Sequence, residues 1–156
     1  MQPIQDNTML GSPGRWVSVI HRYKTVFLDR ELADIGLNGS SYLYIVVLDT
    51  HGTVRQDTFC REIALNKGCV ARSMSRLEEL DYIKREADPD DKRVMLVSLT
   101  RKGKRQVKHV RNALHKFQNI LAHGLTDNQV MLANNLLLNM KENVSNHFAV
   151  IKEGES

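Results

Sequence analysis

Cationic side chains without an acidic neighbour occupy residues 66–76. Arg72 and Arg76 are four residues apart, so on a helix they share a face, and an arginine in a DNA groove can donate two hydrogen bonds to a guanine edge. Lys67, in the first turn of such a helix, is better placed for a phosphate, and Ser73 suits either contact. The competing interpretation is a solvated face with salt bridges to the glutamates that follow, a serious competitor for Arg76.

The other chemistry-bearing residues do not form a catalytic or metal site. The acidic turn Asp88–Asp91 is interrupted by a proline and lacks the carboxylate and glycine pattern of a calcium loop. On a helix, His109 and His115 fall on different faces, and His123 lies two turns beyond His115. The sequence has no glycine-rich phosphate loop and no recognisable Ser, His and Asp motif. We therefore expect no enzyme, no metal and no cofactor.

The two cysteines are too few for a disulfide framework and have no histidines at zinc-ligand spacing. Cys69 lies beside Lys67 near a predicted helix N-terminus, where oxidation would disturb a DNA-facing surface. One hypothesis is therefore a redox switch, and the alternative is a small residue that is merely tolerated there. Cys60 has an apolar helix position and is expected to be buried and inert.

The length and charge of the chain limit the classes of protein to which it can belong. The chain has 156 residues, 42% of them hydrophobic, which suffices for one core. No apolar run reaches membrane-spanning length and no secretory signal is recognisable, so we expect a cytoplasmic protein without a membrane partner. The net charge of +4 is compatible with a polyanionic partner without requiring one. Residues 100–126 contain no carboxylate but include Arg101, Lys102, Lys104, Arg105, Lys108, Arg111 and Lys116.

Two helices are predicted in the N-terminal part, after a flexible tail at residues 1–14. Apolar residues at three-and-four spacing predict a helix that begins near Arg15 and is ended by Gly36. The segment Ser40–Asp49 follows Asn38, which can cap a helix. Its β-branched residues favour a strand, but its length and cap favour a buried helix.

A pair of short helices is predicted next. Thr53-Val-Arg-Gln56 has the form of a capping box and predicts a helix from about Val54 to Ile63. Asn66 can cap a second helix, Lys67–Tyr82, with one apolar and one cationic face. This arrangement describes a helix-turn-helix whose second helix enters a DNA groove. The phosphate contacts predicted at the start of the first helix are Arg55 and Gln56.

The apolar period then changes from helical to alternating. Tyr82–Glu86 and Val94–Leu99 are predicted strands joined by a turn rich in Asp, which makes a hairpin, or wing. Lys92 and Arg93 near its tip can reach a minor groove. Arg93 has an alternative structural role as the partner of an aspartate in the turn. The candidate aspartates are Asp88 and Asp91.

Two long helices with narrow apolar seams complete the chain. The first begins after Thr100 and is stopped by Gly124, and the second follows the capping box Thr126-Asp-Asn-Gln129. Such seams favour packing against a second copy of the chain. The alternative is that they cover the winged module within one chain.

The order of these elements resembles that of the multiple antibiotic resistance regulator (MarR) family. The segment from Asp91 to Thr100, DKRVMLVSLT, matches the family's D-x-R-x5-L-T signature, and residues 66–83 resemble its recognition helix and first wing strand. Asp81 stands where the family usually has Gly, but Asp tolerates the left-handed conformation better than most residues. Cys69 stands where the family commonly has Ser or Thr.

The resemblance implies a homodimer with interlocking terminal helices and two winged modules on a pseudo-palindromic operator in double-stranded DNA. It also implies that the pair Asp91 and Arg93 is partly structural, which assigns Lys92 to DNA. Many members are said to respond to small anionic or aromatic effectors bound between the dimer helices and the winged module. Ordinary core packing is the stronger interpretation for the two aromatic candidates in that region. The effector-binding candidates are Arg15, Trp16, His21, Arg22 and Tyr44.

The predicted fold is mainly α with a small β-hairpin wing. A winged helix-turn-helix at 37–104 is flanked by dimerisation helices at 15–36 and 105–148. The predicted function is a sequence-specific DNA-binding transcriptional regulator that represses as a homodimer. The alternative is a winged-helix module that binds acidic proteins. The predicted DNA contacts are Arg55, Gln56, Lys67, Cys69, Arg72, Ser73, Arg76, Lys92 and Arg93.

Overall fold

The computed structural model describes residues 11–59 and 67–154. The helices in these ranges are α1 (Pro13–Glu31), α2 (Tyr42–His51), α3 (Lys67–Glu79), α4 (Arg101–Leu121) and α5 (Asp127–Gly154). The strands β1 (Val54–Arg55), β2 (Ile83–Ala87) and β3 (Met95–Leu99) form an antiparallel sheet in the order β1-β3-β2. The prediction of a mainly helical fold with a small β wing is confirmed.

The chain divides into two compact units, Met1–Phe117 and Gln118–Ser156. The first unit holds one hydrophobic core, to which α1, α2, α3, the sheet and α4 all contribute side chains. Core residues with no exposed surface include Leu28, Tyr44, Met74, Leu77, Val97 and Val110.

Helix α1 begins at Pro13, so it includes two residues assigned above to the flexible tail. Ser12 caps it by accepting a hydrogen bond from the amide of Arg15 at 3.3 Å, and proline suits the first turn because its missing N–H has no acceptor there. Residues 1–10 of the predicted tail lie outside the described residues. Helix α1 ends at Glu31, earlier than the predicted Gly36, and a short 3-10 helix, Ala33–Ile35, follows it. Gly36 ends this 3-10 helix in the left-handed conformation.

Helix α2 confirms the choice of a helix over a strand. It begins two residues later than expected because Asn38 caps the preceding turn, where its side chain accepts from the amides of Ser40 and Ser41 at 3.0 and 2.8 Å. Four of its side chains are buried, which provides the burial that outweighs its β-branched content. These are Tyr42, Tyr44, Ile45 and Leu48.

The prediction of a helix starting at Val54 is wrong. Val54 and Arg55 form β1 opposite Val97 and Leu96 of β3, and Gln56 donates its amide to the carbonyl of Met95 at 2.8 Å. The backbone groups of Val54, Arg55 and Gln56 therefore pair with the edge of β3 and do not form the first turn of a helix. Helical geometry begins at Thr58, and the remainder of the predicted helix, with Cys60 and the cap Asn66, lies outside the described residues.

The connection between α3 and the wing is fixed from both sides. Helix α3 ends at Glu79, before the predicted Tyr82, and Asp81 has a φ of 58°, the left-handed conformation expected for it. The hydroxyl of Tyr82 donates to the carbonyl of Ile35 at 2.7 Å. Burial of this side chain raises the pKa of Tyr82 above its usual value.

Helix α4 packs closely on the start of the wing. Thr100 caps it as predicted, since its hydroxyl accepts from the amide of Gly103 at 3.0 Å and donates to the carbonyl of Asp81 at 2.6 Å. A Cβ on Gly103 would lie 2.0 Å from the carbonyl oxygen of Tyr82. Only glycine permits this approach of the two backbones.

The apolar seam of α4 belongs largely to the core of the first unit. Val110 and Ala113 are buried, Val107 and Leu114 pack against the same core, and the ring of Phe117 lies 5.5 Å from that of Phe27. Up to Phe117, the alternative stated above, packing within one chain, therefore describes this helix better than dimerisation.

The second unit contains the capping box predicted from sequence. The side chain of Gln129 accepts from the amide of Thr126 at 2.8 Å, and the hydroxyl of Thr126 accepts from the amide of Gln129 at 3.4 Å. Apolar side chains of α5 are exposed along its length, among them Leu132, Leu136, Leu137, Val144 and Phe148. No described helix is both long and apolar enough to cross a membrane.

Candidate nucleic-acid interface

Helix α3 has one buried and one exposed face. Val70, Met74 and Leu77 are at most 1% exposed and hold the helix against the core. Arg72 and Arg76, four residues apart, are exposed on the opposite side. The helix therefore presents cations to the outside of a rigid unit, as predicted.

Four of the predicted contact residues have the spacing of a single helix face. These are Cys69, Arg72, Ser73 and Arg76. Within this face, the guanidinium of Arg72 donates to the Sγ of Cys69 at 3.3 Å, which holds the arginine near the N-terminal half of α3. Cys69 and Ser73 are half-buried, so the two arginines project furthest. Lys67 is the first residue of α3.

Salt bridges engage part of the cationic charge around α3. Arg76 lies 3.2 Å from Glu79, the competitor predicted for this arginine, and both side chains are more than half exposed. An exposed pair of this kind contributes little stability, so Arg76 can exchange its carboxylate for another anion. Glu78 accepts at 3.0 Å from the Nε of Arg85 on β2, which ties α3 to the wing.

The wing turn is shaped by its own aspartates. The side chains of Asp88 and Asp91 accept from the amides of Asp90 and Arg93, each at 3.0 Å, which supports the structural role predicted for both. The Nε of Arg93 is 3.9 Å from Asp91, but this side chain is 96% exposed. Lys92 is also exposed, so the wing tip presents two cations.

Arg55 and Gln56 do not have the positions that suggested phosphate binding. Arg55 is exposed on β1 and Gln56 is half-buried in the turn after it. Helical geometry begins only at Thr58, because β1 pairs with β3 instead, so neither residue lies in the first turn of a helix.

The five predicted effector residues are not gathered into one site. Tyr44 is fully buried, with its ring 5.3 Å from that of Phe59, so its core interpretation holds. The other four are exposed along α1, where the guanidinium of Arg15 lies 5.0 Å from the centre of the half-exposed Trp16 ring. The core interpretation of Trp16 is therefore wrong for this chain taken alone. The remaining exposed candidates are His21 and Arg22.

The first unit contains a cavity that sequence reasoning missed. It has a volume of about 120 Å³ and lies between α2 and α4. Its apolar lining comes from Ile45, Val46, Val107, Val110 and Leu114, and its polar lining comes from Asp49 and Arg111. The Nε of Arg111 donates to Asp49 at 3.1 Å. Helical periodicity marked these apolar residues as packed, but it carries no information on where packing is incomplete.

The described residues contain no cluster of three or more His, Cys, Asp or Glu able to hold a metal ion. What the first unit does present is an amphipathic helix with an outward cationic face, followed by an antiparallel wing with a cationic tip. This architecture defines a winged-helix protein of the kind used in transcriptional regulators.

Comparisons with known proteins give the family. A family model described as "MarR family" matches residues 35–94. The uncharacterized HTH-type transcriptional regulator YxaD of Bacillus subtilis (strain 168) is 30% identical over 110 residues, which cover 69% of this chain and 77% of YxaD. YybA, from the same strain and also an uncharacterized HTH-type transcriptional regulator, is 22% identical over 140 residues, or 90% of this chain and 93% of YybA.

A solved structure agrees in fold. The crystal structure of a putative MarR family transcriptional regulator from Listeria monocytogenes, complexed with 26mer DNA, has a TM-score of 0.84 at 18% identity over 92% of this chain and 95% of that one. The chain thus belongs to the MarR family of winged helix-turn-helix transcriptional regulators, which are DNA-binding proteins and not enzymes.

Proposed function

We propose that this regulator is a homodimeric repressor that binds a pseudo-palindromic operator in duplex DNA. The cationic face of α3 carries the proposal. Its arginines point away from a core that fixes their spacing, and an α-helix fits the major groove of B-DNA. Arg72 is the proposed base-reading residue, and the exposed Lys92 and Arg93 are the proposed minor-groove contacts of the wing.

Exposed apolar surface supports the dimer. In α5, Leu137 and Val144 are 47% and 58% exposed, although their seven-residue separation places them on one face. In α1, Trp16 and Ile20 are also 50% and 40% exposed. Large exposed apolar surfaces mark interaction sites, and a second copy of the chain is the partner that the family resemblance implies.

The proposed mechanism of repression, in the cytoplasm, is occupancy of the operator DNA by the dimer. A dimer with two recognition helices about 34 Å apart covers two successive turns of one face of the duplex. Other proteins are then excluded from that segment of the chromosome.

Arg72→Ala tests the DNA-binding assignment. At the operator this change is expected to cost about 1 to 3 kcal/mol and to relax sequence preference at one position of each half-site. Arg30→Ala, an exposed arginine on α1, is the matched control and is expected to bind like the wild type. Equal binding by wild type and Arg72→Ala would contradict the assigned role and favour a protein partner for this face.

The α2–α4 cavity supports an effector with a small aromatic body. Its volume of about 120 Å³ approaches the ~150 Å³ of an apolar cavity that accepts benzene. Benzene is therefore a suitable probe. It is expected to raise the Tm of the wild type and to leave that of the cavity-filling variant Val107→Phe unchanged, whereas equal shifts would place benzene elsewhere.

A further inference from the structure

Helix α4 carries a row of cations, only some of which have a role within the fold. Lys102 donates to the carbonyl of Leu80 at 2.8 Å, and Arg111 and Lys116 pair with Asp49 and Glu31. The others are exposed, and no carboxylate in the described part of the chain lies within ion-pairing distance of them. These are Arg101, Lys104, Arg105 and Lys108.

These four residues form one surface, which we call the α4 cationic face. Their spacing of three and four residues places them together over two turns of helix. The core side of α4, with Gly103, Val110 and Ala113 buried, lies on the other side of the helix. The α4 cationic face is therefore open to solvent along its whole length.

This arrangement works against the stability of the helix itself. Cations three and four residues apart repel each other on a helix surface. The first turn of α4 also contains no acidic residue, although the helix dipole favours anions there and disfavours cations. An external anion bound to this face would offset the repulsion between its cations. Residues at binding sites commonly lower the stability of a protein in return for function, and a binding site therefore explains this face.

The α4 cationic face is joined by hydrogen bonds to the end of the recognition helix and the start of the wing. The amide of Thr100 donates to the carbonyl of Tyr82 at 3.0 Å, and Lys102 anchors the first turn of α4 to the end of α3. All three elements belong to the same compact unit up to Phe117. A polyanion bound by α3 and the wing is therefore bound to the same compact unit that carries the α4 cationic face.

We propose that the α4 cationic face is a second, sequence-independent phosphate-binding surface for duplex DNA. It acts outside the bases read by α3 and adds affinity without adding sequence preference. The proposal rests on the DNA-binding function proposed above. Duplex DNA is the occupant favoured by the concentration of positive charge, which complements a phosphate backbone, and by the place of this face in the same compact unit as α3 and the wing.

The test compares two double variants that remove the same charge from the same helix. Arg105→Gln with Lys108→Gln removes one arginine and one lysine of the α4 cationic face. Arg111→Gln with Lys116→Gln removes the same residue types where they are already paired. Affinity for a random-sequence duplex is measured as a function of salt, so the test does not depend on an operator.

For the first variant, the slope of log affinity against log salt is expected to be shallower by about 1.8 for each bound protomer, because each phosphate contact contributes about 0.9. Its Tm is expected to equal or exceed that of the wild type, since like-charge repulsion is removed. The second variant is expected to keep the wild-type slope. A wild-type slope in the first variant, or an equal loss in both, would overturn the proposal.

Failure of this inference can be told apart from failure of the proposed function. If the wild type binds an operator specifically but the first variant keeps its slope, only the α4 surface is wrong and an acidic protein becomes the better partner for it. If α4 changes the slope but Arg72→Ala changes nothing at any sequence, base reading by α3 is wrong and the phosphate-binding surface stands.

Discussion

Arg72, the proposed base-reading residue, donates a hydrogen bond to Cys69, the residue of the redox hypothesis. Spacing alone identified their common face, because helix geometry fixes which residues are neighbours. It did not predict that the thiol would hold the arginine, with 3.3 Å between Sγ and the guanidinium nitrogen. Partner choice among side chains on one surface depends on rotamers, which residue type and spacing leave open.

Cys69→Ser is expected to change operator affinity by less than about twofold. A serine hydroxyl is a better acceptor than a thiol and can take the same hydrogen bond from Arg72. The measurement is a binding titration under reducing conditions and after treatment with peroxide. A redox role for Cys69 requires that peroxide weakens binding by the wild type and not by Cys69→Ser, and equal sensitivity would end that hypothesis.

Tyr82 gives a prediction for stability at alkaline pH. Its buried hydroxyl donates to Ile35 at 2.7 Å, and burial raises the pKa of Tyr82 in the folded state. The unfolded chain, with the ordinary pKa of about 10, then loses this proton first, so the contribution is complete below pH 10 and declines as pH rises above it.

Tyr82→Phe is accordingly expected to lower the free energy of unfolding by about 1 kcal/mol at pH 7. The difference from wild type should shrink above pH 10, as measured by urea unfolding at several pH values. A difference that grows with pH would contradict the assigned sign.

At the scale of elements, helices with a strong apolar period were predictable and the shortest strand was not. Helices α1, α3, α4 and α5 bury or expose one continuous stripe, which a single sequence reveals. Strand β1 has two residues and exists because β3 offers it an edge, so nothing local distinguishes it from the capping box that its sequence resembles. For α4, spacing predicted the seam but not the surface that covers it, because that depends on distant residues such as Phe27.

Gly103→Ala tests the junction between α4 and the wing. An added Cβ would lie 2.0 Å from the carbonyl oxygen of Tyr82, so the backbones must separate, at a cost of roughly 1 to 3 kcal/mol. Gly14→Ala in α1 is the control, because its Cβ would have no atom within 4 Å, and it should be neutral or slightly stabilising. Equal unfolding midpoints for Gly103→Ala and the wild type would contradict this packing.

The proposed whole molecule is a dimer of two copies of the chain, and α5 carries the surface on which this proposal is tested most directly. Apolar residues recur along α5, yet those with described side chains are mostly exposed in a single chain. Sequence predicted this seam and its helix, as it predicted the recognition helix and the wing. In the proposed dimer the surface that covers this seam belongs to the second copy, which no pattern in one chain specifies.

Leu137→Glu is expected to convert the dimer into a monomer or to weaken it by at least tenfold, because a buried unpaired carboxylate costs several kcal/mol. Asn135→Glu adds the same charge near the opposite side of α5 and should leave the dimer intact. Sedimentation equilibrium measures both. A Leu137→Glu protein that remains dimeric at wild-type concentrations would show that α5 does not form the interface through this residue.

Sequence-specific binding by a dimer is tested most directly by selecting duplexes from a random library with the purified protein, followed by hydroxyl-radical footprinting of the recovered sequence. A dimeric regulator is expected to select a pseudo-palindrome and to protect two half-sites about 34 Å apart on one face of the DNA. Recovery of no enriched sequence, or of a single isolated half-site, would contradict a dimeric sequence-specific regulator.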